Sequence, residues 1–195
     1  MRVVTGCFSG HRPDKLPGGY DWRSNQNQQL GIRMRLEAIN LIENYNVKRF
    51  IFGGALGVDQ MAFSVCKKLK NTLYSDINLI IAVPFENQFI KWCEKDTVRY
   101  KHQLEVADEV IKVDEVRDIN YRNPELKEKE FAPEKMQYRN EWMVDHSNFI
   151  IAVWNGSKGG TANCLKYVQN MIGCGRTIIR INPDRLEKES EIRYS

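Results

Sequence analysis

The sequence predicts an α/β, Rossmann-like domain, a doubly wound and mostly parallel sheet with helices on both faces. Three observations carry that expectation. Apolar runs of strand length alternate with segments of helical period along the chain. The runs are continuously apolar, as in strands buried on both faces, rather than alternating between core and solvent. Two of them lead through glycine loops, FGGALG and NGSKGG, straight into a helix.

In order, RVVTGCF reads as the first strand, and a loop through Tyr20 and Trp22 leads to a helix from about Asn27 to Tyr45. RFIFGG is the second strand. Val58, Met61, Ala62, Val65 and Leu69 then recur at helical spacing in a helix that runs to about Lys70. INLIIAVPF is the third strand, ended by Pro84, and Asn87 to Val106 reads as one long helix with Phe89, Trp92, Cys93, Tyr100 and Leu104 inward. DEVIKV is the fourth strand. Residues 114–134 carry mixed charge, Pro124 and Pro133 and little periodicity, which marks a surface insertion. A helix over EKMQYRNEWMVDHS, a fifth strand NFIIAVW, a helix from Thr161 to about Ile172 and a sixth strand RTIIRI complete the alternation. The expected organisation is one domain over 1–183 and a polar tail over 184–195 that frays.

Composition narrows the class. A chain of 195 residues can bury a core without covalent staples. Cys7, Cys66, Cys93, Cys164 and Cys174 form no CxxC pair and no Cys/His cluster at zinc spacing, so reduced thiols and no metal are expected. No apolar run approaches the ~18 to 20 residues of a membrane span, and the N-terminal segment turns polar too early for a signal peptide. A cytoplasmic protein without a membrane partner follows. The formal net charge is +4, and Met1 to Arg35 alone holds six Lys or Arg residues against Asp14 and Asp21. Such a cluster suits a phosphate-bearing ligand, or is simply a solvated basic face.

Ligands of doubly wound folds sit outside the carboxyl ends of the strands, where the strand order reverses. In the first loop there, Ser9 supplies a hydroxyl, Gly10 allows close backbone approach, and His11 and Arg12 bring donors suited to phosphate. In the second, Gly53, Gly54, Ala55 and Gly57 precede a helix whose free N–H groups and dipole favour an anion. Asp59 in that helix's first turn is either a cap or a ligand contact. The spacing matches neither a Walker loop nor GxGxxG, which argues against an ordinary ATPase or dehydrogenase. Pro84 and Phe85 lead to Gln88 and Trp92, one helical turn apart, where an amide and an indole would meet a base or ribose, or Trp92 packs in the core. Gln137, Arg139 and Asn140 lie near a helix start. Gly159, Gly160 and Thr161 form a second glycine loop able to clasp a phosphate.

Assembled, TGCFSGHRP, GGALGVDQMA, VPFENQFIKW, ADEV, APEKMQYRNEWMVDHS and GSKGGT resemble the SLOG superfamily, and within it the YpsA family, over roughly Thr5 to Thr161. The superfamily includes the LOG nucleotide hydrolases and the DprA DNA-processing proteins. The resemblance implies a bacterial or phage protein with a nucleotide-related ligand, NAD-derived or ADP-ribose-like, over the glycine loops, and for YpsA-like proteins a link to cell division in Gram-positive bacteria. It also exposes a departure: the LOG motif PGGxGTxxE, aligned on Gly160 and Thr161, puts Cys164 where the hydrolytic Glu belongs. A thiol does not replace that carboxylate.

The leading expectation is therefore a small-molecule nucleotide-binding protein, a sensor or regulator, with no certain cofactor and homo-oligomerisation left open. A LOG-type nucleotide hydrolase using Glu86, Glu94 or Asp59 as acid or base is the alternative. Single-stranded DNA binding of the DprA kind comes third, because the net charge is mild and the insertion acidic.

Overall fold

The computed structural model describes residues 3–116, 131–171 and 175–194. Strands β1 (Thr5–Gly10), β2 (Arg49–Phe52), β3 (Asn78–Val83), β4 (Glu109–Lys112), β5 (Phe149–Val153) and β6 (Arg176–Asn182) lie parallel, with β7 (Glu187–Tyr194) antiparallel to β6 at the edge. The sheet order is β4-β3-β2-β1-β5-β6-β7. The chain thus builds outward from β1 to β4, then returns to start again at β5 beside β1. This is the Rossmann-like arrangement expected, and its switch point lies between β1 and β5.

Successive strand residues point to opposite faces, so each strand feeds two cores. Phe8, Phe50, Phe52, Ile81 and Ile151 pack with α1 (Asn25–Tyr45) and α2 (Val58–Thr72). Cys7, Ile51, Ile80, Ile150 and Ala152 pack on the other face with α5 (Pro133–Asp145) and α6 (Gly160–Gln169). Stacked and edge-on contacts of Phe52 with Phe8 and Phe63 fix the first core. Ser24 Oγ accepts the Asn27 N–H (3.2 Å) to start α1, and Asn46 ends it in the left-handed region at φ 52°.

Two expectations change. The helix read from Asn87 begins only at Glu94, as α3 (Glu94–Val106), while the segment before it folds as successive turns, Ile90 N–H to Asn87 O (3.1 Å) and Trp92 N–H to Phe89 O (2.8 Å). Glu94 and Asp96 in the first turn of α3 favour a start there. The tail after Pro183 does not fray along its length, for residues 187–194 pair with β6. Edge strands tolerate polar sequence, which is why EKESEIRY carries no apolar signal. Of the expected insertion, residues 117–130 lie outside the described residues; the short α4 (Val113–Val116) precedes them and Pro133 opens α5 after them. Among the described residues no helix is long and apolar enough to cross a membrane.

Candidate functional site

At the switch point, a cavity of about 220 Å³ opens between the loop after β1, the loop after β2, α5 and the start of α6. The β1 loop contributes Ser9, Gly10, His11 and Arg12. Burial pushes His11 below the ordinary histidine range, against the opposing effect of its Asn155 contact, and nearby Lys15 lowers it further. The Asn155 N–H donates to His11 Nε2 (3.2 Å), and Asn155 Oδ1 lies 2.8 Å from the same nitrogen, so the ring is clamped against the end of β5. Lys15 Nζ donates to Lys158 O (2.6 Å) and ties the two loops flanking the switch point together.

The floor of the cavity is a buried ion pair. Asp59 Oδ2 lies 3.5 Å from Arg139 Nη1, and both side chains are almost wholly buried. Burial raises the Asp59 carboxyl above the ordinary carboxylate range while Arg139 pulls it back down. The Ala55 N–H donates to Asp59 Oδ2 (3.3 Å), and Arg139 Nε donates to Asn140 Oδ1 (3.0 Å). Arg139 Nη1 is buried with no hydrogen-bond partner.

The two glycine loops are not equivalent. A Cβ on Gly53 would lie 1.6 Å from Arg139 Nη1, so the space above this glycine belongs to a guanidinium of the protein itself. Gly54 faces Tyr100 and Gln88. Gly57, at φ 95°, turns the chain under the His11 carbonyl, which accepts the Val58 N–H (3.2 Å). With Asp59 in its first turn, the N-terminus of α2 is closed by the protein's own groups. The N-terminus of α6 has no acidic residue in its first turn and no side-chain cap. Its N–H groups of Gly160, Thr161 and Ala162 precede the first intrahelical bond, from Asn163 N–H to Gly159 O (3.0 Å).

Ser9, Gly10, His11, Arg12, Ala55, Asp59, Arg139, Asn140, Gly159, Gly160 and Thr161 therefore meet at one cavity, and Gly53, Gly54, Gly57, Pro84 and Gln137 do not line it. Gln137 turns aside to Glu141, Nε2 to Oε1, 3.1 Å. Phe85, Gln88 and Trp92 line a second, more apolar pocket of about 260 Å³, which shares Arg12 and Met136 with the first. Asp14, Lys15 and Met136 also face the main cavity, unanticipated from the sequence. Met136, Arg139 and Asn140 fall at the spacing of one helical face, a signal that was there to be read. Cys164, at the position of the hydrolytic Glu, is a buried core thiol pushed up to about 11 by burial and does not line the cavity. Glu86 is half exposed, 4.0 Å from Lys112, and Glu94 lies in the first turn of α3. Among the described residues no three His, Cys, Asp or Glu side chains converge as metal ligands.

A family model described as the YspA SLOG family matches residues 7–173. The chain is 44% identical over 167 residues to the uncharacterized SPbeta prophage-derived protein YoqJ of Bacillus subtilis, a match covering 85% of this chain and 95% of that protein. It is 30% identical over 161 residues to a UPF0398 protein of Halalkalibacterium halodurans, covering 83% and 76% respectively. Among solved structures, the fold is similar to DNA processing protein A from Helicobacter pylori, described for its single-stranded DNA binding mode, with a TM-score of 0.55 at 15% identity over 93% of this chain and 66% of that one. The Streptococcus pneumoniae counterpart aligns with the same TM-score at 14% identity over 93% of this chain and 51% of its own. This chain spans about two thirds and about half of those structures, and likeness at such identity concerns the fold.

Proposed function

The chain belongs to the YspA SLOG family, and we propose that it binds a nucleotide-related small molecule whose anionic group sits in the switch-point cavity, on Arg139 and the start of α6. Arg139 carries the reading. A buried guanidinium is costly unless paired, and its 3.5 Å separation from Asp59 is longer than the ~2.7 to 2.9 Å of a charge-assisted hydrogen bond. Its buried Nη1 has an unused donor. A phosphate in the cavity that Arg139 lines meets the acid-free N-terminus of α6 and the Arg12 and Lys15 side chains there.

Pocket and fold support a nucleoside phosphate of the ADP, NAD or ADP-ribose kind, held rather than hydrolysed, because the position of the LOG carboxylate is a buried thiol. A sensor or regulatory role suits such a site. The test is a thermal-shift panel of AMP, ADP, ATP, NAD, ADP-ribose and cyclic dinucleotides, with an oligo-dT alongside. A ligand at 100-fold its Kd adds about 2.7 kcal/mol, a rise of roughly 5 to 11 °C in a domain of this size. No shift with any nucleotide refutes the reading. A shift with oligo-dT alone, lost as salt is raised, transfers the site to the nucleic-acid class of its fold neighbours.

A further inference from the structure

We propose that the apolar pocket of Phe85, Trp92 and Phe131 seats the nucleobase of the bound ligand, and that Gln88 selects a base bearing an exocyclic amine. The inference rests on the anion site above and extends it.

The pocket adjoins the anion cavity directly, since Arg12 and Met136 line both. One ligand can therefore place a phosphate in the first and its base in the second, with the exposed Arg12 guanidinium at the junction. The walls are aromatic. Phe85 is buried and meets Phe131 edge to face, ring centroids 5.9 Å apart, and Trp92 packs edge to face on Tyr100 at 5.2 Å. Phe131 is 58% exposed, so its ring is accessible to a ligand from the pocket side. Lys91 lies over its ring at 5.1 Å.

Beside the charged Arg12 and Lys91, the uncharged polar group in this lining is Gln88. Its Nε2 donates to the Tyr100 hydroxyl (2.6 Å), which fixes the amide, and its Oε1 is buried without a hydrogen-bond partner. A buried acceptor left unpaired is a standing cost that a ligand N–H removes. Aromatic walls with one unpaired acceptor fit an adenine-like ring, stacked on the wall and donating its amine to Gln88. A 6-oxo purine would set its carbonyl against the same oxygen.

The experiment is a calorimetric titration of inorganic pyrophosphate, ADP and IDP into the full chain and its Phe131→Ala variant, whose exposed ring is dispensable to the core. ADP is expected to bind at least tenfold tighter than pyrophosphate and IDP, and the variant to lose about tenfold for ADP while holding pyrophosphate unchanged. Equal affinity for ADP and pyrophosphate, or equal weakening of both in the variant, overturns the base pocket and leaves the anion site standing. Equal affinity for ADP and IDP overturns the selection by Gln88. If neither pyrophosphate nor ADP binds, the anion site falls and the base pocket with it.

Discussion

Replacing Asp59 by Asn separates what the protein gains from its buried ion pair from what a ligand would gain. Asp59 supplies the negative charge 3.5 Å from Arg139 Nη1, and both side chains are shielded from water. Removing one partner of such a pair leaves an uncompensated buried charge, at about 3 to 5 kcal/mol; an Asn that still accepts the Ala55 N–H should fall near the lower figure. At roughly 2 to 4 °C per kcal/mol for a domain of this size, the Tm of the free protein drops by about 6 to 12 °C. Anion binding should move the other way. The carboxylate competes with any phosphate for Arg139, so its loss should tighten pyrophosphate about tenfold, and saturating pyrophosphate should recover much of the lost Tm. Thermal melts of both proteins with and without pyrophosphate read out all four values. A variant within about 2 °C of the parent, or one that loses stability and anion affinity together, refutes the reasoning, for Asp59 would then be a plain helix cap or itself a ligand contact.

Other substitutions follow from the same geometry. Gly31→Ala lies within α1 with no atom closer than 3.9 Å to the new Cβ, and should stabilise by about 0.5 to 1 kcal/mol in urea unfolding. Gly57→Ala puts a Cβ 2.5 Å from the His11 carbonyl oxygen at φ 95° and should cost at least about 2 kcal/mol in the same assay. His11 titrates lower in the folded than in the unfolded chain, so below its ordinary value near 6.5 the unfolded state binds the extra proton; stability should fall as pH drops from about 7 toward the folded value, and His11→Asn should flatten that slope in melts across pH 5 to 7.

Most of the fold is legible in the sequence because buried parallel strands announce themselves. FIIAV and the LIIAV of β3 are unbroken apolar runs, and their pairing partners follow from the alternation with helices. β7 is not legible, since a strand at the sheet edge needs no apolar face. The start of α3 at Glu94 was hidden because Phe89 and Trp92 keep helical spacing with Tyr100 while their backbone folds as turns around it. The site is legible in part. Ser9 to Arg12 and Gly159 to Thr161 reach the cavity as their loops suggest. Gly53 and Gly54 look like a phosphate loop because glycine reports only that something approaches the backbone, and what approaches is Arg139 and Tyr100, far along the chain. That contact is set by the fold, not by any local spacing. Phe131 and Met136 were missed for the same reason, one lying within the charged insertion and the other on a helix face read for its polar residues alone.

The assignment of the anion to α6 rather than α2 is tested most directly by the backbone amides themselves. In a two-dimensional 1H–15N spectrum of the full chain titrated with ADP, the Gly160 and Thr161 amide protons should move downfield as they gain a phosphate acceptor, and Gly53 and Gly54 should stay within line width. The Gly160→Asp variant, whose new Cβ meets nothing closer than Asn140 Nδ2 at 3.8 Å, should keep its fold and lose the response. Movement of Gly53 and Gly54 with Gly160 and Thr161 unmoved, or an ADP response that survives in Gly160→Asp, would contradict the account.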